Sequence, residues 1–416
     1  MPNNLPVYIG NETIDRLIKF CQEKNFTKFL LVCDQNTYSV LGKSVEGALL
    51  AQGYNVVTTC LTGKEVIADE HYLVQVLVKA DREERIFLAV GSGTLTDISR
   101  FISFKTKTSF IGVPTAASVD GFTSIGAPLV VDGLKKTFIS QAPIALFADL
   151  PTLCRAPGLL TAAGYGDMVG KFLSAADWKL GHILWDEKYD AEIDQRMRAA
   201  IMQCAHLAPE ISQGLESGIR PLMEGLIESG FCMLDFGNSN PASGAEHHLS
   251  HFWEMLLLNQ HRPAIFHGVK VGVASIITSA WYARLRQINQ SQVAGLLKEA
   301  SFGPADEQIK TIRDVFGPVA DEIIEDQKPF LFITEQALTA LKQRSVDRWA
   351  EVQEIAAQTP EPAKLTDWLR AAGSPVTGQE LGFSEEEVLL GINNGHYLRK
   401  RFTINKLRLL LGFPAK

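Results

Sequence analysis

The stretch Arg85-Ile86-Phe87-Leu88-Ala89-Val90-Gly91-Ser92-Gly93-Thr94-Leu95-Thr96-Asp97 decides the fold. An aliphatic run meets two glycines, and Ile98 to Phe104 then continues at helical spacing, so the segment reads as strand, tight turn and helix. Glycines at such a turn let the backbone approach a ligand, and the unpaired N–H groups of a helix start favour an anion such as a pyrophosphate. A plain turn with Asp97 capping the first helical turn fits the same residues.

Outward from this unit the pattern repeats. Phe29 to Cys33, Asn55 to Cys60, Ser109 to Val113 and Ile144 to Ala148 read as further strands, with helical patterns such as Thr13 to Glu23 and Glu70 to Ala80 between them. Strand and helix in alternation imply a parallel sheet covered on both faces, with ligands beyond the carboxyl ends of its strands. After about residue 151 the alternation stops, and Leu159 to Gly181, Asp190 to Gln213, Pro221 to Leu234, Gly244 to Leu258 and Val269 to Leu285 read as successive helices. The expected architecture is an α/β Rossmann-like nucleotide-binding domain over residues 1–150 and an all-α domain over residues 151–416 that holds metal and substrate. The cleft between two such domains is the natural place for an active site.

Bulk composition narrows the function classes. The chain has 416 residues, 46% of them hydrophobic, and can bury a substantial core. A net charge of -7 argues against nucleic acid as a partner. The six cysteines are scattered without a Cys-x-x-Cys, so reduced thiols in a cytoplasm are expected rather than a disulfide framework. The start Met1-Pro2-Asn3-Asn4 lacks the pattern of a secretory signal, and no uncharged apolar segment approaches the roughly 20 residues needed to span a membrane.

The strand Ser109 to Val113 ends in Pro114-Thr115-Ala116-Ala117-Ser118-Val119-Asp120-Gly121-Phe122-Thr123-Ser124, a run of small residues and hydroxyls. Such a loop can hug a cofactor while Asp120 accepts hydrogen bonds from substrate hydroxyls, or it can be a long surface turn. Asp34, at the end of Phe29 to Cys33, fits either a ribose contact that favours NAD over NADP or a turn former.

Five of the nine histidines, His247, His248, His251, His261 and His267, crowd into one stretch of the helical half. His247 and His251 are four apart and share a helix face, and His267 opens the next helical segment, which a helix hairpin would fold back towards them. Two or three imidazoles with one carboxylate suit a first-row divalent metal that keeps a position open for substrate. Asp167, in the apolar Ala162-Ala163-Gly164-Tyr165-Gly166-Asp167-Met168-Val169-Gly170-Lys171, is the carboxylate candidate. The alternative pairs Asp167 with Lys171 and leaves the histidines as solvated groups.

In this order the motifs Gly91-Ser92-Gly93-Thr94 with Asp97, Thr115-Ala116-Ala117-Ser118 with Asp120-Gly121, Gly166-Asp167 with Lys171, Ser243-Gly244-Ala245-Glu246-His247 with His251, and His267-Gly268 resemble the sn-glycerol-1-phosphate dehydrogenases. These are relatives of iron-type alcohol dehydrogenases, glycerol dehydrogenase and dehydroquinate synthase, and the bacterial branch looks closest. The resemblance covers nearly the whole chain and implies a dehydroquinate synthase-like fold. It implies metal ligands at Asp167, His247 and His267, with Asp120, Asp167 and His251 at the substrate. It implies cofactor contacts at Gly93, Thr94, Leu95, Thr96 and Asp97, at Thr115, Ala116, Ala117 and Ser118, and at Ser124. The first loop departs from the superfamily's usual triple glycine at Ser92, and His248 is an extra imidazole beside the expected ligand.

The activity implied is reduction of dihydroxyacetone phosphate to sn-glycerol 1-phosphate with NADH or NADPH, at one divalent metal, zinc or nickel or iron. His251 would relay the proton. Lys171 would meet the substrate phosphate, or else simply pair with Asp167. A homodimer is expected from the same likeness. The sister activity, a glycerol or other alcohol dehydrogenase on an unphosphorylated polyol, and a non-catalytic nucleotide-binding protein are the alternatives.

Overall fold

The computed structural model describes residues 5–63 and 65–414. Two compact units are formed, one from Met1–Met168 with Met202–Gly237, the other from Val169–Ile201 with Asn238–Lys416.

The first unit is built on a six-stranded parallel sheet. Its strands are β1 (Val7–Gly10), β2 (Lys28–Asp34), β3 (Asn55–Leu61), β4 (Ile86–Val90), β5 (Phe110–Val113) and β8 (Ala145–Asp149), in the order β1-β8-β5-β4-β2-β3. Side chains of β2 alternate between two cores. Phe29, Leu31 and Cys33 pack with Leu17 and Cys21 of helix Thr13–Glu23 and Leu49 of helix Lys43–Ala51. Leu30 and Val32 pack with Leu73 and Val76 of helix Glu70–Leu77 and Ile98 and Ile102 of helix Gly93–Lys105. Burial on both faces is what makes these strands near-continuous hydrophobic runs.

The five strands expected from sequence are present. Two further elements are not foreseen there: the short β1, and an antiparallel hairpin of β6 (Gly126–Val131) and β7 (Leu134–Ile139). Val7–Gly10 is only four residues long, too short for a period to emerge. The hairpin turns at Asp132-Gly133, whose φ angles of 53° and 74° are those of a turn needing two left-handed residues.

The chain leaves β2 for β3 on one side and returns to β4 on the other, so the boundary between β2 and β4 is the topological switch point. Val32 and Ala89 are register partners there, which sets the segments after Asp34 and Val90 side by side at the carboxyl edge.

Beyond residue 150 the described residues contain no strand. The helix expected over Asp190 to Gln213 is two helices, Ala191–Cys204 and Ala208–Ser212, because Pro209 suits a new helix start and not a helix interior. The long helix Gly158–Trp185 runs across the border of the two units. Three of its charged residues, Asp167, Lys171 and Asp177, are fully buried. A Cβ on its Gly170 would lie 2.6 Å from Val271, so glycine there lets this helix press against helix His267–Leu285. No helix among the described residues is long and apolar enough to cross a membrane.

Candidate active site

The turn after β4 is closed tightly. A Cβ on Gly91 would fall 2.1 Å from Leu95 Cδ1, and a Cβ on Gly93 would sit 3.1 Å from Val119, so both glycines mark close approaches. Leu95 and Thr96 point inward, with 3% and 2% of their surfaces exposed. Thr94 is half-buried at the helix start, where Ser92 supplies no side-chain cap. Asp97 Oδ1 lies 2.6 Å from Arg100 Nη1. Burial pushes the Asp97 carboxyl up to about 7, and the neighbouring guanidinium pulls the other way.

The loop after β5 is no surface turn. Thr115, Ala116, Ala117 and Ser118 are all buried. Its path requires glycine on two helices. A Cβ on Gly164 would stand 1.9 Å from the Ala117 carbonyl oxygen, and one on Gly230 would stand 2.1 Å from Thr123 Oγ1. Helix Glu216–Phe236 also gives two hydrogen bonds: Ser229 Oγ donates to Asp120 Oδ2 at 2.8 Å, and its Ile227 carbonyl accepts Thr123 Oγ1 at 3.0 Å. Ser124 donates to the Gly121 carbonyl at 3.2 Å. Asp34, after β2, caps the short helical turn Gln35–Thr37, its Oδ1 accepting the Thr37 N–H at 2.7 Å.

The Asp120 N–H donates to Asp167 Oδ2 at 3.1 Å. Asp167, His247 and His267 each bring one ligand atom within 4.8 Å of the other two. The ring centroids of His247 and His267 are 5.2 Å apart, and His251 stacks on His267 at 5.2 Å. A hairpin of helices Ala245–Asn259 and His267–Leu285 therefore does fold His267 back onto the first pair.

His247 is oriented from both sides. Its Nδ1 lies 2.7 Å from Glu246 Oε1 and its Nε2 3.4 Å from Lys171 Nζ. An ammonium can only donate, so Nε2 is the acceptor and Nδ1 carries the proton that Glu246 receives. An imidazole with a lone pair on Nε2 and a carboxylate behind Nδ1 is the arrangement of a metal-ligating histidine. One buried carboxylate and two imidazoles fit a divalent cation. His248 does not share this position. It is buried with both ring nitrogens lacking a hydrogen-bond partner, and burial, together with Arg401 and Arg399, holds it well below the usual imidazole range.

The start of the histidine helix is held from elsewhere. Asp177 Oδ2 accepts the Ala245 N–H at 2.7 Å, while Asp177 Oδ1 accepts Tyr282 OH at 2.6 Å and the Ile404 N–H at 2.7 Å. A Cβ on Gly244 would lie 2.7 Å from Asp177 Oδ2, which accounts for the glycine in Ser243-Gly244-Ala245-Glu246-His247. Beyond the metal cluster, His251 Nδ1 is 3.3 Å from Glu254 Oε2, and the buried Lys270 is 3.4 Å from Glu254 Oε1.

A family model described as iron-containing alcohol dehydrogenase matches residues 8–157. The chain is 36% identical to the glycerol-1-phosphate dehydrogenase (NAD(P)+) of Geobacillus stearothermophilus over 95% of this chain and 90% of that one. It is 35% identical to the Bacillus subtilis enzyme of the same description, over 98% of this chain and 92% of that one. Among solved structures, a 1,3-propanediol oxidoreductase superposes with a TM-score of 0.63 at 16% identity, covering 97% of this chain and 94% of the other. An alcohol dehydrogenase from Oenococcus oeni gives 0.61 at 14% identity, covering 96% and 94%.

Proposed function

The chain belongs to the glycerol-1-phosphate dehydrogenase family, and on that premise we propose that it reversibly reduces dihydroxyacetone phosphate to sn-glycerol 1-phosphate with NADH or NADPH. The observation that carries the reading is the convergence of Asp167, His247 and His267 next to the loop of Asp120. When bound there, a divalent cation (zinc, nickel or iron) supplies Lewis acidity towards a ketone oxygen, and the nicotinamide supplies the hydride.

The chain's own residues do the rest. Glu246 holds His247 in its ligating tautomer. Asp120, steadied by Ser229, orients a substrate hydroxyl, and His251 moves the proton that completes the alcohol. Lys171 meets the substrate phosphate. The helix start Gly93, Thr94, Leu95, Thr96 and Asp97, with Thr115, Ala116, Ala117, Ser118 and Ser124, binds the dinucleotide, and Asp34 faces its ribose. In this division residues 1–150 hold nucleotide and, through Asp120, part of the substrate, while residues 151–416 hold metal and the rest of it. The family resemblance supports a homodimer in the cytoplasm, with no nucleic-acid or membrane partner.

The test is elemental analysis of the purified protein with turnover on dihydroxyacetone phosphate before and after chelation. One metal per chain and activity lost on chelation and regained on metal addition are expected. Faster turnover on dihydroxyacetone than on its phosphate would instead favour the unphosphorylated polyol.

A further inference from the structure

Resting on that reading, we propose that Arg100 is a positioning residue that fixes the substrate loop against the helix that begins at the cofactor turn. Arg100 lies on helix Gly93–Lys105, one turn beyond Asp97, and its side chain is fully buried. Nη1 donates to Asp97 Oδ1 at 2.6 Å and to the Gly126 carbonyl at 2.9 Å. Nη2 donates to the Gly121 carbonyl at 2.5 Å and to the Phe122 carbonyl at 3.1 Å.

A guanidinium taken wholly out of water is costly unless its donors are used, and here four acceptors, one of them charged, engage Nη1 and Nη2, leaving the buried Nε as the one donor without a partner among the described residues. Three of the four are main-chain oxygens of residues 121–126, the segment that follows Asp120 and contains Ser124. The fourth belongs to the first turns of the helix that carries Gly93 to Asp97. One rigid planar group thus sets the spacing between the two loops that must bring hydride donor and ketone together. Lysine cannot copy this, since a single ammonium has neither the fork nor the span.

The loop has other supports that do not involve Arg100. Ser229 and the Ile227 carbonyl hold Asp120 and Thr123 from helix Glu216–Phe236. Loss of Arg100 therefore loosens residues 121–126 while the Asp120 anchor and the metal cluster stay. A shift of about 1 Å at reacting groups costs on the order of 100-fold in rate, so misplacement should appear in catalysis and not in metal retention.

The experiment uses the intact protein with Arg100→Gln and Arg100→Lys beside the unaltered chain. Thermal unfolding, metal content, NADH affinity by fluorescence titration, and kcat and KM for dihydroxyacetone phosphate are measured on each. Folded variants with unchanged metal content, and kcat/KM lower by about 10- to 100-fold and by more than any loss of NADH affinity, are expected, R100K losing nearly as much as R100Q. Unchanged kcat/KM in folded R100Q, full activity in R100K, a loss confined to NADH affinity, or failure of both variants to fold would each overturn the proposal. If the unaltered chain does not reduce dihydroxyacetone phosphate, the assigned reaction fails; if it does and R100Q equals it, only the positioning role fails.

Discussion

Glu246 Oε1 stands 2.7 Å from His247 Nδ1 and at the same time accepts the Gly244 N–H at 2.9 Å. The carboxylate is fully buried, so its charge is exchanged for these contacts and not for water. A carboxylate behind a ligating imidazole sharpens its orientation and basicity.

Glu246→Gln keeps the shape and removes the charge. Metal affinity should fall about 10- to 100-fold, with activity restored by excess metal. Competition with a chelating dye measures it, and an unchanged dissociation constant would show that Glu246 only packs.

The two adjacent imidazoles should behave differently. His247→Ala is expected to lose stoichiometric metal and turnover together, and His267→Ala likewise. His248→Ala, outside the cluster, is expected to keep one metal per chain while losing stability. Elemental analysis of the three purified variants decides, and metal loss in the His248 variant would contradict the ligand assignment.

Gly164→Ala inserts a methyl group 1.9 Å from the Ala117 carbonyl oxygen, where the obstacle is backbone and cannot swing aside. Overpacking of this kind typically costs about 1–3 kcal/mol. The strain falls on the segment Thr115 to Ser118, so weaker NADH binding should accompany a lower Tm. A variant with the original Tm and NADH affinity would remove the close approach from the account.

Burial pushes the Lys406 ammonium down to about 7, while Gln327 Oε1 at 2.8 Å and His396 Nδ1 at 3.1 Å take its donors. An unfolded lysine titrates near about 10.4, so between the two values the unfolded chain binds more protons and stability rises with pH. The contribution over that window is on the order of a few kcal/mol. Denaturant unfolding at pH 7 and pH 10 should show a smaller rise in Lys406→Met than in the unaltered chain. The comparison of slopes separates this effect from the packing change at Gln327.

The sheet is legible in the sequence because strands buried on both faces leave long apolar runs, as in β2 and β4. Strand β1 is not, being four residues beside Pro6, and the hairpin is announced only by Asp132-Gly133 between two apolar stretches. Helix periodicity and the cost of a lone buried carboxylate point to the histidine stretch and Asp167, and the family resemblance selects Asp167, His247 and His267 among them. Arg100 could not. With Thr96, Ser99 and Ser103 it makes a polar-looking face, and only the tertiary fold brings carbonyls from 21, 22 and 26 residues away onto it. Ser229 is likewise separated from Asp120 by 109 positions, a distance over which no local pattern speaks.

Asp177 gathers donors from residues 245, 282 and 404 onto two oxygens. The turn that presents the imidazoles is thus fastened by a helix start 227 positions beyond the carboxylate. On a translating ribosome, until residue 404 has left the exit tunnel, this carboxylate is one donor short. Ion capture should accordingly wait until residue 404 has emerged, and termination before Ile404 should be felt far upstream, as poorer ion retention.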